Sequence, residues 1–230
     1  MIAVISGIVL VHEFGHYAAA RASGIGVSAF SIGFGPALLR VKARGTEWRL
    51  SLIPFGGYVV PDASDETMYF AIHPFRRIVL SAGGPAANFI AAFILIAAFR
   101  IGAGDGVAGF IPNAAHVFSS QMQAISSGIA SLFSAPGSLS GIVGIVKTGG
   151  GIIGSGANVL LLSAALSLNL GIFNMLPLPP LDGGKIVLSF FELIDRRASR
   201  MQIPFALAGW GLMLILTAAT LILDIKRMIA

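Results

Sequence analysis

The chain has no cysteine, which excludes disulfides and thiolate metal ligands; any metal it holds must be bound through nitrogen and oxygen. Charge is scarce too. Only 11% of the 230 residues are Asp, Glu, Lys or Arg, while 56% are hydrophobic and the mean hydropathy is +0.88. Such a composition excludes an ordinary soluble domain and fits a polytopic membrane protein. Acidic residues are fewer than basic ones, 10 against 15, for a net charge of +5. That excess does not read as nucleic-acid binding, because the basic residues cluster beside apolar runs, where they set topology and meet anionic lipid headgroups. No basic stretch and no small-residue cleavage signal precede the first polar motif, so no removable signal peptide is expected.

What is present begins with that motif, Val11-His12-Glu13-Phe14-Gly15-His16, inside the first apolar run. On a helix, residues four apart share a face about one turn apart. Both imidazoles can therefore reach one metal ion while Glu13 reaches a water beside it. The alternative is a helix with two histidines satisfied by backbone or water. It loses ground in an apolar segment, where ionisable groups are costly and tend to be functional.

Residues 1 to about 22 are expected to form the first transmembrane helix, stopped at Ser23-Gly24. Alternating runs at 37–43 and 47–53 around Arg44-Gly45-Thr46 predict a β-hairpin, with Pro54 and Gly56-Gly57 ending its second strand. Two readings of this hairpin stay open. It is an ordinary surface feature, or its free edge, with Gly56, Gly57 and Tyr58, offers backbone groups to an extended substrate. Residues 61–67 read as a solvated loop, and His73 as an exposed histidine in another.

A second span is expected over about 78–104, opened by Arg76-Arg77. Its small residues Gly83 to Ala87 would let helices approach closely, with Asn88 as interhelical glue in preference to a substrate contact. A short polar connection at 105–116 and an interfacial amphipathic helix at about 117–133 follow. Residues 136–156 are rich in Gly and Ser and carry no clear element. A third span is expected over about 152–173, and a fourth over about 203–223. The fold class is thus an all-α polytopic membrane protein of about four transmembrane helices with a small β-hairpin, one domain over 1–230.

The third span runs into Asn174-Met-Leu-Pro177-Leu-Pro179-Pro180-Leu-Asp182-Gly183-Gly184, where the prolines and glycines must open the helix. Irregular backbone at membrane depth has to face protein or a watery cavity, so Asp182 is expected in a polar pocket. Asp182 is the best third ligand beside His12 and His16; its alternative role is a helix N-cap. Zinc, Zn2+, would there acidify a water, and Glu13 would act as the acid/base. Of the basic residues only Arg100, Lys147, Lys226 and Arg227 fall on the far side of the expected membrane. That asymmetry puts the metal end toward the cytoplasm.

These motifs, with Phe30-Ser-Ile-Gly-Phe-Gly35, Ile53-Pro-Phe-Gly-Gly-Tyr58 and Gly84-Pro-Ala-Ala-Asn88, together resemble the site-2 proteases, the intramembrane zinc metalloproteases of peptidase family M50. The likeness is to RseP-type bacterial members and covers nearly the whole chain. It implies regulated intramembrane proteolysis in the bacterial cytoplasmic (inner) membrane. The implied substrates are single-span membrane proteins such as anti-sigma factors, or signal-peptide remnants, cut within the lipid bilayer. By this resemblance His12, His16 and Asp182 match the zinc ligands and Glu13 the acid/base. Asn174 matches a substrate-holding asparagine, with Pro177 and Pro179 beside it as candidate contacts, and residues 37–58 match a membrane-associated hairpin region. RseP-type members carry PDZ domains between the second and third spans, and this chain has only 105–116 in that place. Two other classes stand beside the protease: a non-proteolytic metal-binding protein or transporter, and an inactive adaptor for transmembrane segments. Oligomeric state is left open by the sequence.

Overall fold

The structure, a computed structural model, describes residues 2–62, 66–104, 109–134, 159–178, 180–201, 204–211, 214–215, 217–218 and 222. Helix α1 (Ile2–Ala22) leads into strands β1 (Val27–Ala43) and β2 (Thr46–Pro61). After them come α2 (Glu66–Ala71), α3 (Pro74–Gly102), α4 (Phe110–Ser134), α5 (Val159–Asn174) and α6 (Asp182–Ile194). A 3₁₀ turn at Arg196–Met201 follows, and residues 204–211 are helical again.

Helix α3 is the hub, packing on α1, α4, α5 and α6. Its start lies four residues before the expected one. His73 caps it by accepting from the Phe75 amide, and Pro74 takes the first turn, where a missing N–H costs nothing. His73 is exposed, as expected. The faces of α3 are sorted in reverse of a soluble helix. It buries Arg77, Ser81, Gly84 and Asn88 and exposes Ile90, Ile94 and Ile101. A helix whose small and polar side points inward and whose aliphatic side points outward suits lipid surroundings.

Among the described residues, two helices are long and apolar enough to cross a membrane, Ala3–Ala22 and Pro74–Gly102. The expected third span appears as the shorter apolar α5; the rest of that span, 152–158, lies outside the described residues. The expected fourth span is helical over 204–211 and at 214–215, 217–218 and 222, and its other residues lie outside the described ones, as do residues 136–156.

Close approach of α1 and α3 depends on glycine. A Cβ on Gly15 would run into the Gly83 carbonyl, and one on Gly83 would meet the Gly15 backbone and Ala19. The apolar core proper lies further along α3, where Ala92 and Ile96 meet Ala164 and Leu168 of α5 and Ala114 of α4. Helix α4 is longer than expected, because residues from 110 onward, read as a connection, are already helical. Its stripe Ala114, Val117, Phe118 and Met122 covers that core, so this face has a protein partner and is not simply interfacial.

The hairpin lies where expected but is longer. Arg44 (φ 51°) and Gly45 (φ 80°) make the two-residue turn, both at positive φ as its twist requires. Strand β2 does not end at Pro54 and Gly56-Gly57: it continues to Pro61, with a break in register and Gly56 at φ 87°. A bulge absorbs the proline's missing donor, which the alternation rule does not foresee. Residues 29–32 of β1 pair with both 47–50 and 57–60, so the sheet is three strands wide there. Among the described residues, no strand pairs with the outer side of 57–61. Tyr17, directly after His16, pins the sheet to α1 by packing edge-on to Phe30 (5.8 Å) and Trp48 (5.0 Å). Residues 66–71, partly read as loop, form α2, whose Tyr69 joins the cluster of Ala20, Ile25, Val27 and Leu80.

Candidate active site

Helical spacing puts the two imidazoles of α1 on one face, and the fold brings Asp182 to them from 166 or more residues away. His12 Nε2 lies 3.2 Å from Asp182 Oδ2 and 3.1 Å from His16 Nε2; His16 Nε2 lies 3.1 Å from the same carboxylate oxygen. One donor atom from each of the three residues falls within 4.8 Å of the others. His12 and Asp182 are 6% and 4% exposed, and His16 is half-buried.

Helix α3 lies beneath this group and arranges it. His16 Nδ1–H donates to the Leu80 carbonyl at 2.8 Å. A carbonyl can only accept, so the proton of a neutral His16 is held at Nδ1 and the Nε2 lone pair points at the group. One turn on, a Cβ at Gly84 would run into both rings, so only glycine leaves room for them. A further turn on, the Asn88 side-chain amide lies 3.1 Å from His12 Nδ1. With both Nδ1 atoms engaged, the Nε2 atoms face each other and a carboxylate. That is the disposition of ligands about a metal and the donor set that zinc takes.

Asp182 is the first residue of α6. Leu181, not Asp182, occupies the cap position; the carboxylate is turned to the two rings through Oδ2 and accepts from Lys185 Nζ at 3.0 Å through Oδ1. The N-cap alternative is thereby set aside. Gly183 lets this helix start press on the irregular segment before it, because a Cβ there would run into the carbonyls of Met175 and Leu176.

A cavity of about 1030 Å³ opens on the group, lined by His12, Glu13, His16, Asp182 and Lys185 on one side and by Gly57 to Pro61 on the other. The Cγ of Glu13 lies against Gly57, where a Cβ would be 3.4 Å from it. Of the residues expected to touch substrate, Gly57, Tyr58 and Asn174 line this cavity, and Gly56 stands one residue outside it. Asn174 donates its amide to the Leu170 carbonyl at 3.0 Å, on its own helix. Pro177 is not brought to the site: it lines a separate depression with Phe191 and Phe205. Pro179 lies outside the described residues. Tyr58 accepts a hydrogen bond from Arg49 Nη1 (3.2 Å), which holds its phenol below the usual range.

Sequence reasoning missed four contributors. Lys185 falls among the topology charges and Gly84 among the small residues; Asn88 does bridge helices, from α3 to α1, but its spacing alone does not name His12 as the partner; and the role of Leu80 is carried by its backbone and has no side-chain signal. The spacing Leu80, Gly84, Asn88 was a usable clue, since steps of four along α3 match the step between the two histidines.

A helix-borne His-Glu-x-x-His pair, closed by an aspartate from a distant helix beneath an open cavity, defines the metallohydrolase class of site. The family model described as "Peptidase family M50" matches residues 1–218, and the chain belongs to that family. Similar relatives include a Chlamydia trachomatis protein named "Putative zinc metalloprotease", 41% identical over 105 residues. That match covers 38% of this chain and 17% of the relative. The "Metalloprotease MmpA" of Caulobacter vibrioides is 37% identical over 129 residues, covering 44% of this chain and 32% of its own. A Clostridium perfringens relative, also named a zinc metalloprotease of that kind, is 37% identical over 116 residues, 47% of this chain and 35% of its own. The matches thus span well under half the length of these relatives.

Proposed function

We propose that the chain is an intramembrane zinc metalloendopeptidase that hydrolyses peptide bonds in or near transmembrane helices of single-span membrane substrates. The observation that carries this reading is the convergence of His12 Nε2, His16 Nε2 and Asp182 Oδ2, with donor atoms within 4.8 Å, beside Glu13 and an open cavity. The residues suit zinc: two neutral imidazole nitrogens and one carboxylate oxygen, with room for a further ligand on the cavity side. Bound there, zinc would polarise the scissile carbonyl and lower the pKa of water to about 7.

The remaining steps belong to the chain's own groups. Glu13 takes the proton from the attacking water at its carboxylate and delivers it to the leaving amide nitrogen. Lys185 holds the second oxygen of Asp182, so the carboxylate presents Oδ2 alone to the metal position. A substrate helix has its amides already bonded along itself and must be opened before it can be cut. The unpaired outer side of 57–61 suits that task, because it offers backbone donors and acceptors to an extended segment beside Glu13. Asn174 lies on the wall of the same cavity and contacts the opened segment. The basic bias of the sequence favours an inner-membrane protein with this site toward the cytoplasm.

The test is cleavage of a model single-span substrate by purified wild type and Glu13→Gln, each with its zinc content measured. Cleavage by wild type and none by Glu13→Gln at equal zinc content is the expected result. Substantial turnover by the variant would remove Glu13 from the mechanism, and loss of its zinc would make it a ligand.

A further inference from the structure

We infer that Asn88 is a positioning residue for this metal site: when its side-chain amide is turned so that the oxygen faces His12, it accepts the Nδ1 proton and fixes the tautomer whose Nε2 lone pair faces the metal. The inference rests on the metal reading above and adds a residue to it.

Asn88 is fully buried on α3, with its side-chain amide 3.1 Å from His12 Nδ1. Nitrogen faces the ring, and the amide oxygen has no hydrogen-bond partner among the described residues. Half a turn of the terminal torsion exchanges two atoms of similar size without moving the backbone. Chemically the two orientations differ. Nitrogen toward the ring requires a lone pair at Nδ1 and places the proton at Nε2, which then donates to Asp182 Oδ2 at 3.2 Å. Oxygen toward the ring requires the proton at Nδ1 and frees Nε2 for a metal. Amide orientation and metal competence of His12 are therefore coupled.

His16 has no such freedom, because the Leu80 carbonyl only accepts and holds its tautomer permanently. One histidine is preset by backbone and the other is set by a side chain that can turn. Bridging α3 to α5 does not account for the Asn88 side chain. The bond between α3 and α5 runs from Ser167 Oγ to the Asn88 backbone carbonyl at 2.9 Å, and it survives replacement of the amide.

The test is the zinc dissociation constant of the detergent-solubilised full chain, read by chelator competition, for wild type, Asn88→Leu and Asn88→Asp. Imidazole nitrogen shifts report the His12 tautomer in the zinc-free protein. Leucine, which cannot accept, should weaken zinc binding about 10–100-fold, whereas aspartate, which accepts, should stay within about threefold of wild type. Aspartate should also move the His12 proton to Nδ1. If Asn88→Leu does not fold, Asn88→Ala takes its place in the same comparison. Wild-type affinity in the leucine or alanine variant, or equal loss in the aspartate variant, overturns the inference. A wild type that binds no zinc strikes the metal reading itself, a distinguishable failure.

Discussion

Arg77, at the start of α3, donates through Nη2 to Glu192, near the end of α6, and neither is open to solvent. The guanidinium also donates through Nε to the Ile72 carbonyl and lies over the rings of Tyr69 (5.5 Å) and Phe70 (5.4 Å). Since α6 begins with Asp182, this pair ties the helix that supplies the carboxylate to the helix that supports both imidazoles. Removing one partner strands the other charge, which costs about 3–5 kcal/mol, while replacing both with apolar residues is far milder. Glu192→Leu and Arg77→Met should each lower the thermal midpoint sharply in detergent and weaken zinc binding, and the double variant should recover most of the stability. Additive losses in the double variant would show that the two residues act separately.

Gly84→Ala separates the site from the fold. A Cβ there would be 2.7 Å from both Cε1 and Nε2 of His12. Alanine is favoured over glycine by about 1 kcal/mol in a helix interior, so α3 itself does not suffer. Helical content should hold while zinc affinity falls at least about tenfold, the range seen when ligand support is disturbed. Unchanged zinc binding would mean that the rings have space this packing denies them.

Glycines of α1 should respond very differently to one substitution. Gly15→Ala drives a Cβ into the Gly83 carbonyl, whereas a Cβ on Gly7 meets nothing within 4 Å. Overpacking of that kind costs about 1–3 kcal/mol. Gly15→Ala should therefore lower the thermal midpoint, and Gly7→Ala should leave it level or raise it. Equal effects would contradict the α1–α3 crossing.

Much of this was legible in advance because it is written in spacing. The step of four between His12 and His16, the opened helix before Asp182 and the hairpin turn at Arg44-Gly45 each express local geometry that sequence carries directly. The run to Pro61 was hidden because a bulge breaks period-two alternation at the place where Pro54 and Gly56 look like a stop. Arg77 read as a headgroup contact because its partner, Glu192, is 115 residues away and no local rule links them. Of the about four expected spans, the third and fourth fall partly outside the described residues. Apolar runs mark candidates by composition, but only α1 and α3 have the length and hydropathy of crossing helices among the described residues.

The central claim is that His12, His16 and Asp182 hold one zinc ion together, and zinc X-ray absorption on the zinc-loaded chain tests it most directly, wild type beside Asp182→Ala. The account predicts a wild-type shell of two imidazole nitrogens and oxygen ligands, with zinc lost or the carboxylate oxygen missing in the variant. Full zinc content and an unchanged shell in Asp182→Ala would contradict it.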